Sequence, residues 1–198
     1  MNSSIITTLQ AITRLKRGEV GIMPTDTVYG LVTLAANPRS VARMYHLKSR
    51  NRKPGTLIAA SPQQLVALGV AQSDINKVAQ WWPNPLSAVL DMLGNDYLHQ
   101  GVGNIAMRVV ADPAVKALLE QTGPLITSSA NLPGQPEATT IAEAYAYFGD
   151  TIDFYVDGDT IANKIPSTII RPSADGIEVL RQGDIHIAPH SVINAPHS

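Results

Sequence analysis

The chain contains no cysteine. Disulfides, thiolate metal sites and a cysteine nucleophile are therefore excluded, and the composition fits a reducing compartment. Long apolar runs are also missing, so no segment reads as a membrane-spanning helix. Met1 to Leu9 has neither the basic leader nor the apolar stretch of a signal peptide. Charge of one sign is scarce as well. The formal net charge is -1, with 16% charged residues, which argues against a general nucleic-acid binder. Several catalytic motifs have no counterpart: no Walker-type phosphate loop, glycine-rich dinucleotide fingerprint, zinc-protease helix or nucleophile elbow. The five histidines are scattered, and His186, His190 and His197 near the C-terminus read as surface residues rather than metal ligands. What remains is the composition of an ordinary cytoplasmic enzyme, 198 residues long and expected to form one domain over 1–188 with a tail over 189–198.

Local patterns predict alternating helices and strands. Ser3 or Ser4 is placed to cap a first helix with Ile5, Leu9, Ile12 and Leu15 on its face, ending near Gly18. Val20 to Met23 reads as a buried strand stopped by Pro24, and the hydroxyl-rich Thr25 to Gly30 as a strand-to-loop transition. Asn37-Pro38 starts a second helix with Val41, Met44 and Leu47 inward. Further strands are expected at Leu57–Ala60, Leu86–Met92, Ile105–Val110, Leu125–Thr127, Ile152–Val156, Thr168–Arg171 and Ile177–Leu180. The last two form a hairpin about Asp175-Gly176. Ser61-Pro62 and Gly69 bracket a short helix, Ser73 caps another, Asp112-Pro113 caps a third, and Ile141 to Phe148 is a fourth. The interleaving implies an α/β fold: a single domain with a mixed parallel and antiparallel sheet and flanking helices.

Four segments carry more polarity than folding requires. Pro24-Thr25-Asp26-Thr27-Val28-Tyr29-Gly30-Leu31 follows a strand, where ligands gather in α/β sheets; its hydroxyls could equally satisfy turn amides. Arg39, Arg43, His46, Lys48, Arg50, Arg52 and Lys53 form a basic stretch without an acid. It suits a confined anionic ligand, or simply complements a helix dipole. Ser128-Ser129-Ala130-Asn131, with Thr139 and Thr140 behind it, follows another strand and has an ordinary loop as its plain reading. Pro166-Ser167-Thr168 with Arg181 could be a routine edge hairpin.

In combination these segments resemble a known family. Pro-Thr-Asp-Thr-Val-Tyr-Gly-Leu, Lys48-x-Arg50, Trp82-Pro83-Asn84-Pro85-Leu86, Ala106-Met107-Arg108, Ser129-Ala130-Asn131, Pro166-Ser167-Thr168 and Leu180-Arg181-Gln182-Gly183 occur in the order seen in YrdC-like threonylcarbamoyl-AMP synthases, from about Val20 to Gly183. The resemblance implies a twisted mixed sheet around a deep basic cavity that holds ATP beside threonine. It implies that the enzyme is a nucleotidyltransferase joining L-threonine, bicarbonate and ATP into threonylcarbamoyl-AMP and pyrophosphate, for the threonylcarbamoyladenosine modification of tRNA. Carried over residue by residue, Lys48 and Arg50 are the catalytic basic pair. Lys48, Arg50, Lys53, Asn131, Thr139 and Arg181 are implied for ATP, and Thr27, Arg108, Ser129 and Ser167 for threonine. Magnesium is expected with the nucleotide, and no structural metal is expected. Asp26 is a candidate general base by position, with a turn role as the plainer reading.

The sequence departs from the family at Lys53-Pro54-Gly55-Thr56-Leu57-Ile58, where many relatives carry Asn-Pro-Leu-Ile-Val-His, so the histidine contact to the amino acid is expected to be lost. The resemblance implies that the chain is the family's short, single-domain form. A downstream tRNA threonylcarbamoyl transferase complex is an implied partner, and weak RNA binding and no membrane are further expectations. Two other readings share the fold. One is a double-stranded RNA-binding module without catalysis, which the charge balance disfavours. The other is a domain handling carbamoyl-adenylate, as in hydrogenase maturation, where such domains sit in much larger chains.

Overall fold

The computed structural model describes residues 5–161, 165–173 and 176–187. At the N-terminus, Ile5–Ile6 forms strand β1, and helix α1 spans Thr8–Lys16. Thr7 is its cap: the Thr7 hydroxyl accepts from the Gln10 amide while the Gln10 side chain reaches back to the Thr7 N–H. This reciprocal capping box satisfies two orphan donors and sets the helix start. It corrects the expected cap at Ser3 or Ser4, which lie outside the described residues, and moves Ile5 from the helix face into a strand. Ala11, Ile12 and Leu15 form the buried stripe, while Leu9 is exposed.

The elements that follow are β2 (Gly21–Pro24), β3 (Tyr29–Leu34), α2 (Pro38–Leu47), β4 (Thr56–Ala59), α3 (Pro62–Ala67), α4 (Gln72–Val78), β5 (Leu86–Asp91), α5 (Asp96–His99), β6 (Asn104–Val109), α6 (Pro113–Thr122), β7 (Leu125–Ser129), α7 (Ile141–Phe148), β8 (Phe154–Val156), β9 (Thr168–Ser173) and β10 (Gly176–Arg181). Asn37 and Asp112 cap α2 and α6 through their side-chain oxygens, each followed by proline at the first helical position. Ala71, rather than Ser73, precedes α4. Strand β3 and the four-residue α5 were not anticipated. The hairpin turn expected at Asp175 and the tail 189–198 lie outside the described residues.

The strands form one sheet in the order β1-β8-β2-β3-β7-β4-β6-β5-β9-β10. The pairs β1/β8, β8/β2, β4/β6 and β5/β9 are parallel, and the others antiparallel. The expected mixed sheet is therefore present. Each face buries its own core. One, with Leu31, Leu57, Met107 and Ile126, lies under residues of α2, α3, α4, α5 and α7. The other, with Val32, Ile58, Leu125 and Phe154, lies under α1 and α6. Successive residues alternate between the faces, as strand geometry requires. Each fully buried aliphatic side chain stabilises the fold by about 1.5–3 kcal/mol.

This arrangement brings the polar segments together. Gly30 pairs with Ser129, Thr56 with Thr127 and Ala106, and Ile58 with Arg108. The Pro24–Val28 turn, the end of β7 and the loop before β4 thus converge at one end of the sheet.

Candidate functional site

The turn after β2 is held by its own hydroxyl. Thr25 Oγ1 donates to the Val28 carbonyl at 2.7 Å and accepts the Thr27 amide at 3.3 Å. This arrangement exposes Asp26 to Arg108 from β6. The Arg108 Nε donates to the two Asp26 carboxylate oxygens at 2.9 and 3.1 Å, and Nη2 donates to Oδ1 at 2.5 Å. Both side chains are 4% exposed. A charge pair so buried is sustained by hydrogen bonds that reach both carboxylate oxygens. Nη2 also reaches Thr27 Oγ1 at 3.3 Å, and Nη1 has no hydrogen-bond partner among the described residues. Tyr29, three residues on from Asp26, has a structural role: its hydroxyl donates to the Asp159 carbonyl at 2.8 Å and accepts the Gly158 amide at 2.8 Å.

Arg108 and Thr27 line a chamber of about 190 Å³ with Ser129, Ser167, Arg181, Glu137 and Arg50. Ser167 Oγ lies 3.0 Å from Ser87 Oγ, and the Arg181 guanidinium donates to the Ser167 carbonyl at 2.8 and 3.0 Å. Gly183 makes this junction possible, because a Cβ there would meet the Pro166 carbonyl oxygen at 2.1 Å. The two C-terminal motifs therefore form one packed unit. Burial disfavours the charged Arg181 and lowers its pKa; Glu137 opposes that effect, and Arg108 adds to it.

A wider cleft of about 390 Å³ adjoins the chamber. It is lined by Lys48, Ser49, Arg50, Lys53, Asn131 and Ser129, so that Arg50 and Ser129 face both compartments. Lys48, at the end of α2, is buried. Its ammonium donates to the Ser129 carbonyl at 2.9 Å, to Asn131 Oδ1 at 2.7 Å and to the Asn131 carbonyl. Three donors meeting three acceptors tie the loop after β7 to α2. Burial, then the charge of Arg50, pulls the Lys48 pKa down to about 8, with Glu137 acting in the opposite sense. Arg50 Nη1 donates to the Pro54 carbonyl at 2.8 Å and the Lys53 carbonyl at 3.3 Å, leaving Nε and Nη2 without partners among the described residues. Tyr45 accepts the Gly55 amide at 3.1 Å and donates to the Leu98 carbonyl, while Gln100 Oε1 accepts the Lys53 amide at 3.0 Å. Helix α5 thus braces the basic loop from outside.

The expected residues divide between the two compartments. Thr27, Arg108, Ser129 and Ser167 all line the chamber. Lys48, Arg50, Lys53 and Asn131 line the cleft. Arg181, expected with the nucleotide, lines the chamber instead. Thr139 lines neither; it is exposed, and its amide and hydroxyl both bond to Glu143 Oε2, at 2.7 and 3.0 Å. Glu137 was missed, and a single glutamate in a loop gives no pattern by which to find it. Asp26 is a partner of Arg108 rather than a carboxylate open to the chamber.

The family described as "Telomere recombination", which groups Sua5, YciO and YrdC, matches residues 13–183. A threonylcarbamoyl-AMP synthase of Pseudoalteromonas translucida is 37% identical over 167 residues, covering 80% of this chain and 89% of that protein. Another, from Vibrio campbellii, is 33% identical over 184 residues, covering 88% and 97%. The structure of E. coli YciO superimposes with a TM-score of 0.79 at 22% identity, covering 93% of this chain and 92% of that one. The structure of P. abyssi Sua5 complexed with L-threonine does so with 0.80 at 26% identity, covering 90% of this chain, which spans 57% of that longer protein. With the family match running through both compartments, the chain belongs to the Sua5/YciO/YrdC family.

Proposed function

We propose that this protein is an L-threonylcarbamoyl-adenylate synthase, a nucleotidyltransferase that converts L-threonine, bicarbonate and ATP into threonylcarbamoyl-AMP and pyrophosphate. The observation that carries the reading is the pair of adjoining compartments, one lined by buried hydroxyls around a fixed arginine, the other basic and open, with Arg50 and Ser129 between them. The inner chamber suits an amino acid, and the outer cleft a triphosphate. Curated relatives named threonylcarbamoyl-AMP synthase support it over most of the chain.

Arg108 binds the threonine carboxylate. Asp26 fixes the guanidinium by its Nε and Nη2 edge, which leaves Nη1 for substrate. Thr27, Ser129 and Ser167 supply hydroxyls around the amino acid. The threonine ammonium group gives up a proton, and the free amine and bicarbonate then give a carbamate and water; a carbamate oxygen attacks the α-phosphorus of ATP as the bond to pyrophosphate breaks. Negative charge grows on the phosphoryl oxygens. Arg50 stands where the compartments meet and stabilises that charge with its two uncommitted nitrogens, while Lys53 meets the outer phosphates. Lys48 adds its positive charge and holds the Ser129–Asn131 loop in register. The chemistry needs alignment and charge rather than a protein nucleophile.

Among the described residues no group of three or more His, Cys, Asp or Glu could hold a metal ion. Magnesium fits this site as an ion carried by the nucleotide, bound through phosphate oxygens and water. It would neutralise charge on the triphosphate. No helix among the described residues is long and apolar enough to cross a membrane, and we place the protein in the cytoplasm. There its product serves a tRNA threonylcarbamoyl transferase complex. The test is incubation with labelled bicarbonate, ATP and threonine, followed by chromatography. Label in an adenylate that forms only with threonine supports the proposal; label in no adenylate overturns it.

A further inference from the structure

One carboxylate in the chamber has no role in the scheme above. Glu137 is half-buried and lines the chamber with Arg50, Arg108 and Arg181. Its backbone is held close to the end of β7, because the Ala138 amide donates to the Ala130 carbonyl at 3.0 Å. The Thr139 carbonyl accepts the Ile161 amide at 2.9 Å, which secures the other side. The Glu137 charge reaches both Lys48 and Arg181, favouring the protonated form of each against burial. Yet it forms no ion pair among the described residues. The other nearby acid, Asp26, is fully engaged by Arg108. Glu137 is thus the single carboxylate among the described residues that line either compartment.

A chamber with three arginines attracts the carboxylate of an amino acid and repels its ammonium group. A zwitterion entering it needs one anion to balance that end, and a hydrogen bond to a charged group strengthens binding by about tenfold or more. We propose that Glu137 receives the α-ammonium group of the amino-acid substrate and so orients its nitrogen within the chamber. The inference rests on the synthase reading. It makes Glu137 a substrate-binding residue that selects α-amino acids over acids lacking the amine.

Glu137→Gln keeps the side-chain shape and removes the charge, and a half-buried loop position tolerates it without unfolding. In the full-length protein, the KM for threonine should rise at least about tenfold while that for ATP stays within about twofold. The competing probe is 2,3-dihydroxybutanoate, in which a hydroxyl replaces the amine; its inhibition constant should be the same for both proteins. Calorimetric binding of threonine to each protein reads the contact without turnover, so the inference stays testable even if the synthase reading fails. Glu137→Asp should recover part of the lost affinity. Unchanged threonine affinity, equal weakening of threonine and the amine-free probe, or a rise confined to ATP would each overturn the assignment.

Discussion

The two compartments are built by opposite means. In the inner chamber two pairs of polar groups are already bonded, Asp26 to Arg108 and Arg181 to Ser167 beside Ser87, and Glu137 is left without an ion pair among the described residues. The bonded side chains come from strands or from turns packed against them. In the outer cleft Lys53 is exposed, and Arg50 holds its own loop by one nitrogen only. The difference matches the ligands proposed. A small zwitterion is recognised by a few fixed contacts, whereas a triphosphate is held by charge that tolerates movement of the loop carrying it. Lys48 joins the two regions, because its three hydrogen bonds fix the loop that borders both.

Substitutions should separate the compartments, beginning with the largest effect. Arg50→Ala should lower kcat by about 10²–10³-fold, the usual loss for a charge-stabilising donor, with little change in thermal midpoint. Lys48→Ala should lose as much turnover, but also weaken threonine binding, because the loop bordering the chamber is released. If Lys48→Ala leaves threonine binding intact, the two regions are independent after all. Asp26→Ala should act on stability instead: breaking a buried pair and leaving Arg108 uncompensated costs about 3–5 kcal/mol. Chemical denaturation measures this, and a loss below about 1 kcal/mol, typical of an exposed pair, would mean the pair is not buried in solution. Arg108→Ala should raise the KM for threonine more than that for ATP, as steady-state kinetics with each substrate varied will show.

A smaller effect concerns pH. The Lys48 pKa is lowered to about 8 by burial, from an ordinary value of 10.5. Between those values the unfolded chain retains the proton and the folded protein does not, so this group makes folding stability rise with pH in that window. Function should move the other way. As the ammonium is lost above about pH 8, ATP use should weaken, and Lys48→Arg should carry ATP use to higher pH. An ATP KM flat from pH 7 to 9.5 in the native protein would contradict the role given to Lys48.

Much of this was legible from residues with a local signature. Asn37-Pro38 and Asp112-Pro113 announce helix starts because cap chemistry is local. Alternation of strand and helix signals gave the mixed sheet. Strand β3 was missed because Tyr29 to Val32 is buried on both faces and shows no alternation, and its first residues belong to a motif rich in turn-forming groups. The two residues of β1 and the four of α5 are too short to carry a period. Within the site, ordered motifs located the arginines and hydroxyls, but not their partners. Asp26 and Arg108 lie 82 positions apart, and only the register of β4 on β6 and β7, which carries Arg108 to the Pro24–Val28 turn, brings them together. For the same reason the sequence marks Lys48 as a cation for the nucleotide without revealing that its ammonium also anchors the Ser129–Asn131 loop.

The most direct measurement is pyrophosphate release from ATP by the purified protein, with threonine and bicarbonate each present or omitted. The account predicts release only when both are supplied. Release without threonine, or none under any combination, would contradict it.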